Sequence, residues 1–239
     1  KLKLFVKGDE YKFLGVKTNL HLFGTPKGGK FFLLGTDING RDFFSRLMIG
    51  SRISLFIGFI AILISVPLGL LYGGISGYLG GKVDVVMMRL AEAIMSVPSF
   101  YLLIILAGIL PANLTSTQRF IMITAILAFV SWASLSRIIR GMVLSIKTRE
   151  YVLASEVIGQ SKLNIIIKHI LPQTLTFTII AVSLSIPSYI LSESALSFIG
   201  LGIQQPDASW GNLLKDAQSY IVITARPWLL ASGLMILIT

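Results

Sequence analysis

The chain of 239 residues contains no cysteine, which excludes disulfide scaffolds and thiolate metal sites. Histidine is almost as scarce. His21 and His169 stand too far apart to read as a ligand pair. Charge is sparse too: 13% of residues are charged, and 11 acids face 21 Lys and Arg. No Ser–His–acid set or paired carboxylates form a convincing arrangement, so no catalytic constellation is expected. Gly24-x4-Gly29-Lys30 has the outline of a phosphate loop, but Phe31 stands where Ser or Thr holds magnesium, and no strand–helix context surrounds it. Asp37-Ile38-Asn39-Gly40 begins like a calcium loop but lacks the later ligands. Asn39-Gly40 reads as a tight turn.

What the chain has is long apolar blocks. Ile53 to Gly81, Ala93 to Gln118 and Ile170 to Ser192 carry no charge, and Phe120 to Ser136 is a shorter block of the same kind. A bilayer core needs about 20 helical residues. Buried helices of a soluble protein seldom run that long without a polar face. The expectation is therefore an all-α integral membrane protein. The net charge of +10 then speaks for topology and lipid contact rather than for nucleic acid.

Five spans are expected: about Ile53–Gly77 with a kink at Pro67, Ser99–Leu114, Phe120–Ile138, Ile170–Leu191, and one starting near Arg226. Two units follow. Residues 1–52 are an extracytoplasmic segment, and 53–239 are the membrane domain. In the first unit, Thr25–Gly29 is a turn cluster with short strands as candidate flanks. Asp42–Arg52 reads as an interfacial amphipathic helix, with Phe43, Phe44, Leu47 and Met48 on one face and Arg41, Arg46 and Arg52 at the headgroup boundary. Val85–Ile94 reads as a helical arm before Pro98. Gly69, Gly73, Gly77 and Gly81 form overlapping GxxxG patterns, which mark either close helix packing or a loosely wound helix end. Ser65, Ser183 and Ser185 fall within spans, where bonding back to the helix is the expected role. Glu92 and Glu193 are placed at span edges, within reach of water. Both ends look cut, with a piece missing at each.

Basic residues set the orientation. Arg137, Arg140, Lys147, Arg149, Lys162 and Lys168 cluster between the third and fourth spans, against Lys215 alone in the next link before Arg226. Segment 140–169 is therefore cytoplasmic and loop 193–225 extracytoplasmic.

Segment 140–169 holds the most informative pattern. Glu150-Tyr151-Val152-Leu153-Ala154-Ser155-Glu156-Val157-Ile158-Gly159 is followed by Ile165 to Pro172. This reads as a short helix, a glycine stop at Gly159, a cap at Ser161, and a second helix meeting a span at Pro172. Ala154 and Ser155 offer a low-profile surface suited to a partner's groove.

The segment resembles the coupling motif of bacterial ABC-importer permeases, with Gly159 and Pro172 at the motif's spacing and Ala154 and Ser155 as its small pair. Leu34-Gly35-Thr36-Asp37 through Leu55, and Leu196 through Gly211, resemble the C-type permease subunit of dipeptide and oligopeptide importers. Residues 1–33 match nothing of that family.

The resemblance implies a type I, MetI-like permease fold in a bacterial or archaeal cytoplasmic membrane, with five visible spans of an expected six. It implies that Glu150, Ala154, Ser155, Glu156, Gly159 and Pro172 couple the spans to two cytoplasmic ATPase subunits, which hold ATP and magnesium; this chain holds no cofactor or metal and does no catalysis. It also implies a second homologous permease and an external solute-binding protein. Gln204, Pro206, Asp207 and Trp210 are the expected docking residues for that protein. Peptides are the expected cargo, with nickel or oligosaccharides as alternatives. A self-contained secondary transporter is the rival class.

Overall fold

A computed structural model describes residues 3–13, 16–24, 32–111 and 113–239. Antiparallel strands β1 (Lys3–Phe13) and β2 (Val16–Gly24) form a hairpin. Strands were expected to flank Thr25–Gly29. That cluster lies outside the described residues, as do Gly29, Lys30 and Phe31, and the hairpin lies wholly before it. After residue 32 the described chain is helical.

Helix α1 (Phe43–Leu79) has 37 residues, about 55 Å at 1.5 Å per residue, nearly twice a bilayer core. It corrects the expectation of a separate interfacial helix over 42–52. No breaker falls between Asp42, whose side chain caps the helix at Ser45 N, and Pro67. The face of Phe43 and Leu47 packs on Trp210, Leu213 and Leu229 rather than on lipid. Arg46 is buried as well, with its guanidinium bonded inside the protein rather than facing outward. The helix runs through Pro67 without ending.

The expected arm is α2 (Gly81–Met95), and the expected second span shrinks to α3 (Ser99–Gly108). The two meet at 78°. Pro98 causes the break, since it lacks an N–H and pushes the residue before it out of helical geometry. Helix α4 (Ser116–Ile146) opens with a capping box between Thr115 and Gln118 and runs well past Ile138, through Arg137 and Arg140. Then come α5 (Glu150–Val157), α6 (Lys162–Ile165), a π turn (Ile166–Ile170), a 3-10 turn (Leu171–Thr174) and α7 (Leu175–Phe198). Helices α8 (Trp210–Lys215), α9 (Tyr220–Ala225) and α10 (Ala231–Ile238) finish the chain. Among the described residues, three stretches are long and apolar enough to span a membrane, Phe43–Leu79, Ser116–Ile146 and Lys162–Phe198, and the bent α2–α3 pair is a further candidate. Pro227–Ile238 is apolar but shorter.

Helices α1 and α4 pack along the glycine stripe. A methyl group on Gly73 would stand 2.3 Å from the Ser136 carbonyl, and one on Gly77 2.9 Å from that of Arg140. Close packing is therefore the use of Gly69, Gly73 and Gly77. Gly81 differs: nothing lies near it, and it starts α2 at φ 53°. Three apolar clusters are stacked along the bundle. One gathers around Val152 and Tyr78, one around Ile57 and Leu127, and one around Trp210 and Phe43.

Candidate coupling interface

Helix α5 has eight residues, too few to persist alone in water. Tertiary contacts hold it. Val152 is fully buried against Ile139, Val143, Ile146, Ile165 and Ile170. Across the bundle, the Tyr78 hydroxyl donates to Glu156 Oε1 at 2.6 Å, tying α5 to the end of α1. Gly159 ends the helix at φ 82° with open space around it, so the position needs glycine for its dihedral and not for room. Its N–H donates to Glu156 O and that of Gln160 to Ser155 O. Gln160 Oε1 then accepts from Asn164 Nδ2 at 3.2 Å and pairs with His169 Nε2 at 2.9 Å. Ser161 occupies the cap position of α6 but makes no side-chain capping bond.

Pro172 lies in the 3-10 turn at the foot of α7. Having no N–H, it cannot continue the α-helical ladder. Ahead of it the backbone takes a π turn, with Leu171 N–H donating to Ile166 O.

The expected partner surface is rearranged. Ser155 is buried, and its hydroxyl donates to Tyr151 O, so it does not form an outer low-profile patch with Ala154. Ala154 is exposed, as are Glu150, Glu156 and Gly159. The projecting side chains are Val157 and Ile158, 88% and 77% exposed, flanked by Leu153. Two large apolar side chains at the tip of a cationic segment have no core to enter. They were the available signal and had no role in the sequence reading. Tyr78 had no signal, being 78 residues from Glu156. Behind α5, Arg140 Nε donates to Asp84 Oδ1 at 3.0 Å, with a second bond from Nη2 to Oδ2, and the Ser76 hydroxyl donates to Asp84 at 2.5 Å. Lys147 Nζ caps Gly77 O at 3.0 Å. Helix α5 is thus in contact with α1, α4 and the foot of α7.

The opposite end is a clasp. Asp37 is fully buried. It accepts from the N–H groups of Asn39 and Arg41 at 2.9 Å and from Arg41 Nε at 2.7 Å. Burial alone would raise its carboxyl. The Arg41 and Asn39 donors and the Arg41 charge outweigh that and hold it below the ordinary value. Gln205 Oε1 accepts from Arg41 and Arg46 at 2.7 and 2.9 Å, and Pro206 O accepts from Arg46 at 3.0 Å. Arg226 donates to Asp37 O, and Trp228 Nε1 to Thr36 O at 3.0 Å. The Asn39-Gly40 turn is present, with Gly40 N–H on Asp37 O and φ 76°. Burial and the neighbouring Asp37 raise the Asp216 carboxyl, against the pull of Arg46 and Arg41.

Of the expected docking residues, Gln204 and Pro206 are exposed and Asp207 is half-buried. Trp210 is corrected: it is 1% exposed, with Nε1 donating to Leu47 O at 3.2 Å. Its large ring fills the core between α1 and α8 instead of facing outward. Glu193 is corrected too. Helix α7 continues to Phe198, so Glu193 is inside the helix and fully buried, accepting from Ser54 at 3.1 Å and Ser197 at 2.6 Å. Glu92 is exposed beside Arg89, as expected. Ser183 and Ser185 bond back to their helix, while Ser65 instead bonds the Tyr189 hydroxyl at 2.9 Å. No cluster of potential metal ligands occurs among the described residues.

Comparison with known proteins shows the family of the chain. The family described as "Binding-protein-dependent transport system inner membrane component" matches residues 65–239. The oligopeptide transport system permease protein OppC of Haemophilus influenzae is 44% identical over 206 residues, covering 86% of this chain and 63% of that protein. OppC of Escherichia coli K12 is 45% identical over 204 residues, covering 85% and 64%. The dipeptide transport system permease protein DppC of Bacillus subtilis is 43% identical over 182 residues, covering 76% and 55%. The chain thus spans 55–64% of the length of these relatives. Among solved structures, a chain of the inward-facing MetNI methionine ABC transporter superposes with TM-score 0.58 at 17% identity, over 82% of this chain and 88% of that one. That likeness supports the MetI-like fold.

Proposed function

The chain belongs to the binding-protein-dependent transport system inner membrane component family, and on that premise we propose that it is one permease subunit of an ATP-driven importer of peptides. The observation that carries the coupling role is α5. It is a two-turn helix locked to the spans through Val152 and Tyr78, with Val157 and Ile158 projecting from its tip. Exposed apolar side chains on a rigidly mounted helix suit insertion into a partner's groove. In this reading the partners are two cytoplasmic ATPase subunits, with a second homologous permease beside this chain and a solute-binding protein outside. ATP and magnesium reside in the ATPases, and this chain does no covalent chemistry.

The mechanism is a two-state switch biased by a ligand on a partner. Nucleotide binding draws the ATPases together and displaces α5. Because α5 is bound to α1, α4 and the α7 foot, the displacement reorients the spans as bodies. The Asp84–Arg140 pair carries the α2 arm with α4. At the other end, the exposed Gln204 and Pro206 stand on the Asp37–Arg46 clasp, where a docked binding protein has a firm platform. Peptides are the cargo that the related permeases' names favour.

The test is Ala154→Arg, on the exposed side of α5, in the full-length chain co-expressed with its partners. The chain should remain in the membrane while peptide-stimulated ATP hydrolysis and uptake are lost. Wild-type stimulated hydrolysis would refute the coupling role. Docking outside is tested by deleting Gln204–Asp207. Unchanged binding-protein affinity would remove that loop from the account.

A further inference from the structure

We propose that the cleft enclosed by α1, α4, α7 and the α2–α3 break is this chain's share of the substrate path, and that it contacts the main chain of a passing peptide without reading side-chain charge. The inference rests on the importer reading above and deepens it. The cleft has a volume of about 490 Å³, within the range of small-molecule sites. Ser65, Ser99, Ser131, Ser134, Ser185 and Ser188 line it among apolar side chains, and none of its lining residues is charged. In a chain of net charge +10, a wall free of charge is a distinct surface.

Ser65 is paired with the Tyr189 hydroxyl at 2.9 Å, and the other hydroxyls divide into two kinds. Ser131, Ser134 and Ser185 donate to carbonyls of their own helices at 2.8–3.0 Å, which leaves their oxygens able only to accept. Ser99 and Ser188 are exposed, and neither hydroxyl has a protein partner among the described residues. Each can donate and accept. A peptide main chain presents one N–H and one C=O per residue, which these groups can meet in turn. A fixed carboxylate or ammonium in a low-dielectric wall would hold peptides of one charge and repel the other. None is present, so charge selection belongs elsewhere. Position supports the assignment. Pro98 bends α2 from α3 by 78° at the rim, and α2 is joined through Asp84–Arg140 to the helix leading into α5. Motion at α5 would change the width of the cleft.

The absence of native cysteine allows the test to be made after assembly, so that folding is not at issue. Ser188→Cys would be reacted, in the full-length complex with cysteine-free partners, with a cationic or an anionic methanethiosulfonate. Uptake of trialanine and of its lysine- and glutamate-centred analogues would then be compared in proteoliposomes. The cationic adduct should lower uptake of the lysine peptide relative to the glutamate peptide by about tenfold, and the anionic adduct should reverse the order. Ile179→Cys, exposed on the opposite face of α7 and outside the cleft, should show neither effect. Full modification of Ser188→Cys with the order and rates unchanged, while the unmodified complex transports with ATP, would overturn the cleft assignment alone. If the unmodified complex takes up none of the three peptides with ATP, the importer reading fails and the cleft assignment falls with it.

Discussion

Removing the Tyr78 hydroxyl tests how α5 is mounted. In Tyr78→Phe the ring keeps its buried place, and only the 2.6 Å bond to Glu156 is lost. A hydrogen bond to a carboxylate can contribute about 1.5–3 kcal/mol when water is excluded, but Glu156 is exposed and water replaces the lost partner, so the net loss is about 1 kcal/mol. Val152 sets the comparison. It is fully buried, and trimming it to alanine should cost about 2 kcal/mol through lost burial and the cavity left behind. Amide hydrogen exchange across α5 reads both. Exchange should quicken about fivefold in Tyr78→Phe and about thirtyfold in Val152→Ala. Stimulated ATP hydrolysis in the complex should fall in the same order. Wild-type exchange in both variants, or a larger effect from Tyr78→Phe than from Val152→Ala, would refute the claim that packing dominates and the hydroxyl trims the fit.

Further outcomes follow from other contacts. Gly73→Ala places a methyl group 2.3 Å from a backbone oxygen and should lower stability by about 1–3 kcal/mol, whereas Gly141→Ala, with open space around it, should be neutral or slightly stabilising in a detergent melt. Asp84→Asn leaves Arg140 without its counter-charge, and about 2 kcal/mol of α2–α4 stability should be lost, discounted because Arg140 is partly exposed; a double replacement by alanine should recover part of it. The clasp is pH-dependent through Asp37. Its carboxyl is held below the ordinary value, so the stabilisation is fully present above that value, about pH 4, and is lost as pH falls through the folded value. Trp228, bonded to Thr36, should report this as an emission change appearing below about pH 4, on the other side of the ordinary carboxylate value from any change due to the raised Asp216. Asp37→Asn should abolish the step.

The long helices were legible because charge-free runs and helical length are local properties of the sequence. The stop at Gly159 and the break at Pro98 were legible for the same reason: each acts through its own backbone. The fate of Asp42–Arg52 was not, because an amphipathic helix looks alike whether its apolar face meets lipid or Trp210. Glu193 was misplaced because the end of a charge-free run is not the end of a helix, and one of the serines that bond it, Ser54, comes from a distant segment. Ser155 and Ala154 are adjacent and chemically alike. Only the packing of Val152 against Ile165 and its neighbours fixes the turn of the helix, and so which one faces in. Tyr78–Glu156 and Arg46–Gln205 join residues far apart in sequence and carry no local signature.

The central claim is that the tip of α5 sits on an ATPase, and crosslinking tests it most directly. A photoreactive side chain at Val157, in the assembled complex within native membranes, should couple to a nucleotide-hydrolysing subunit, and a membrane-impermeant thiol reagent should leave Val157→Cys unlabelled on intact cells. Crosslinks that never reach such a subunit, or ready labelling from outside, would contradict the account.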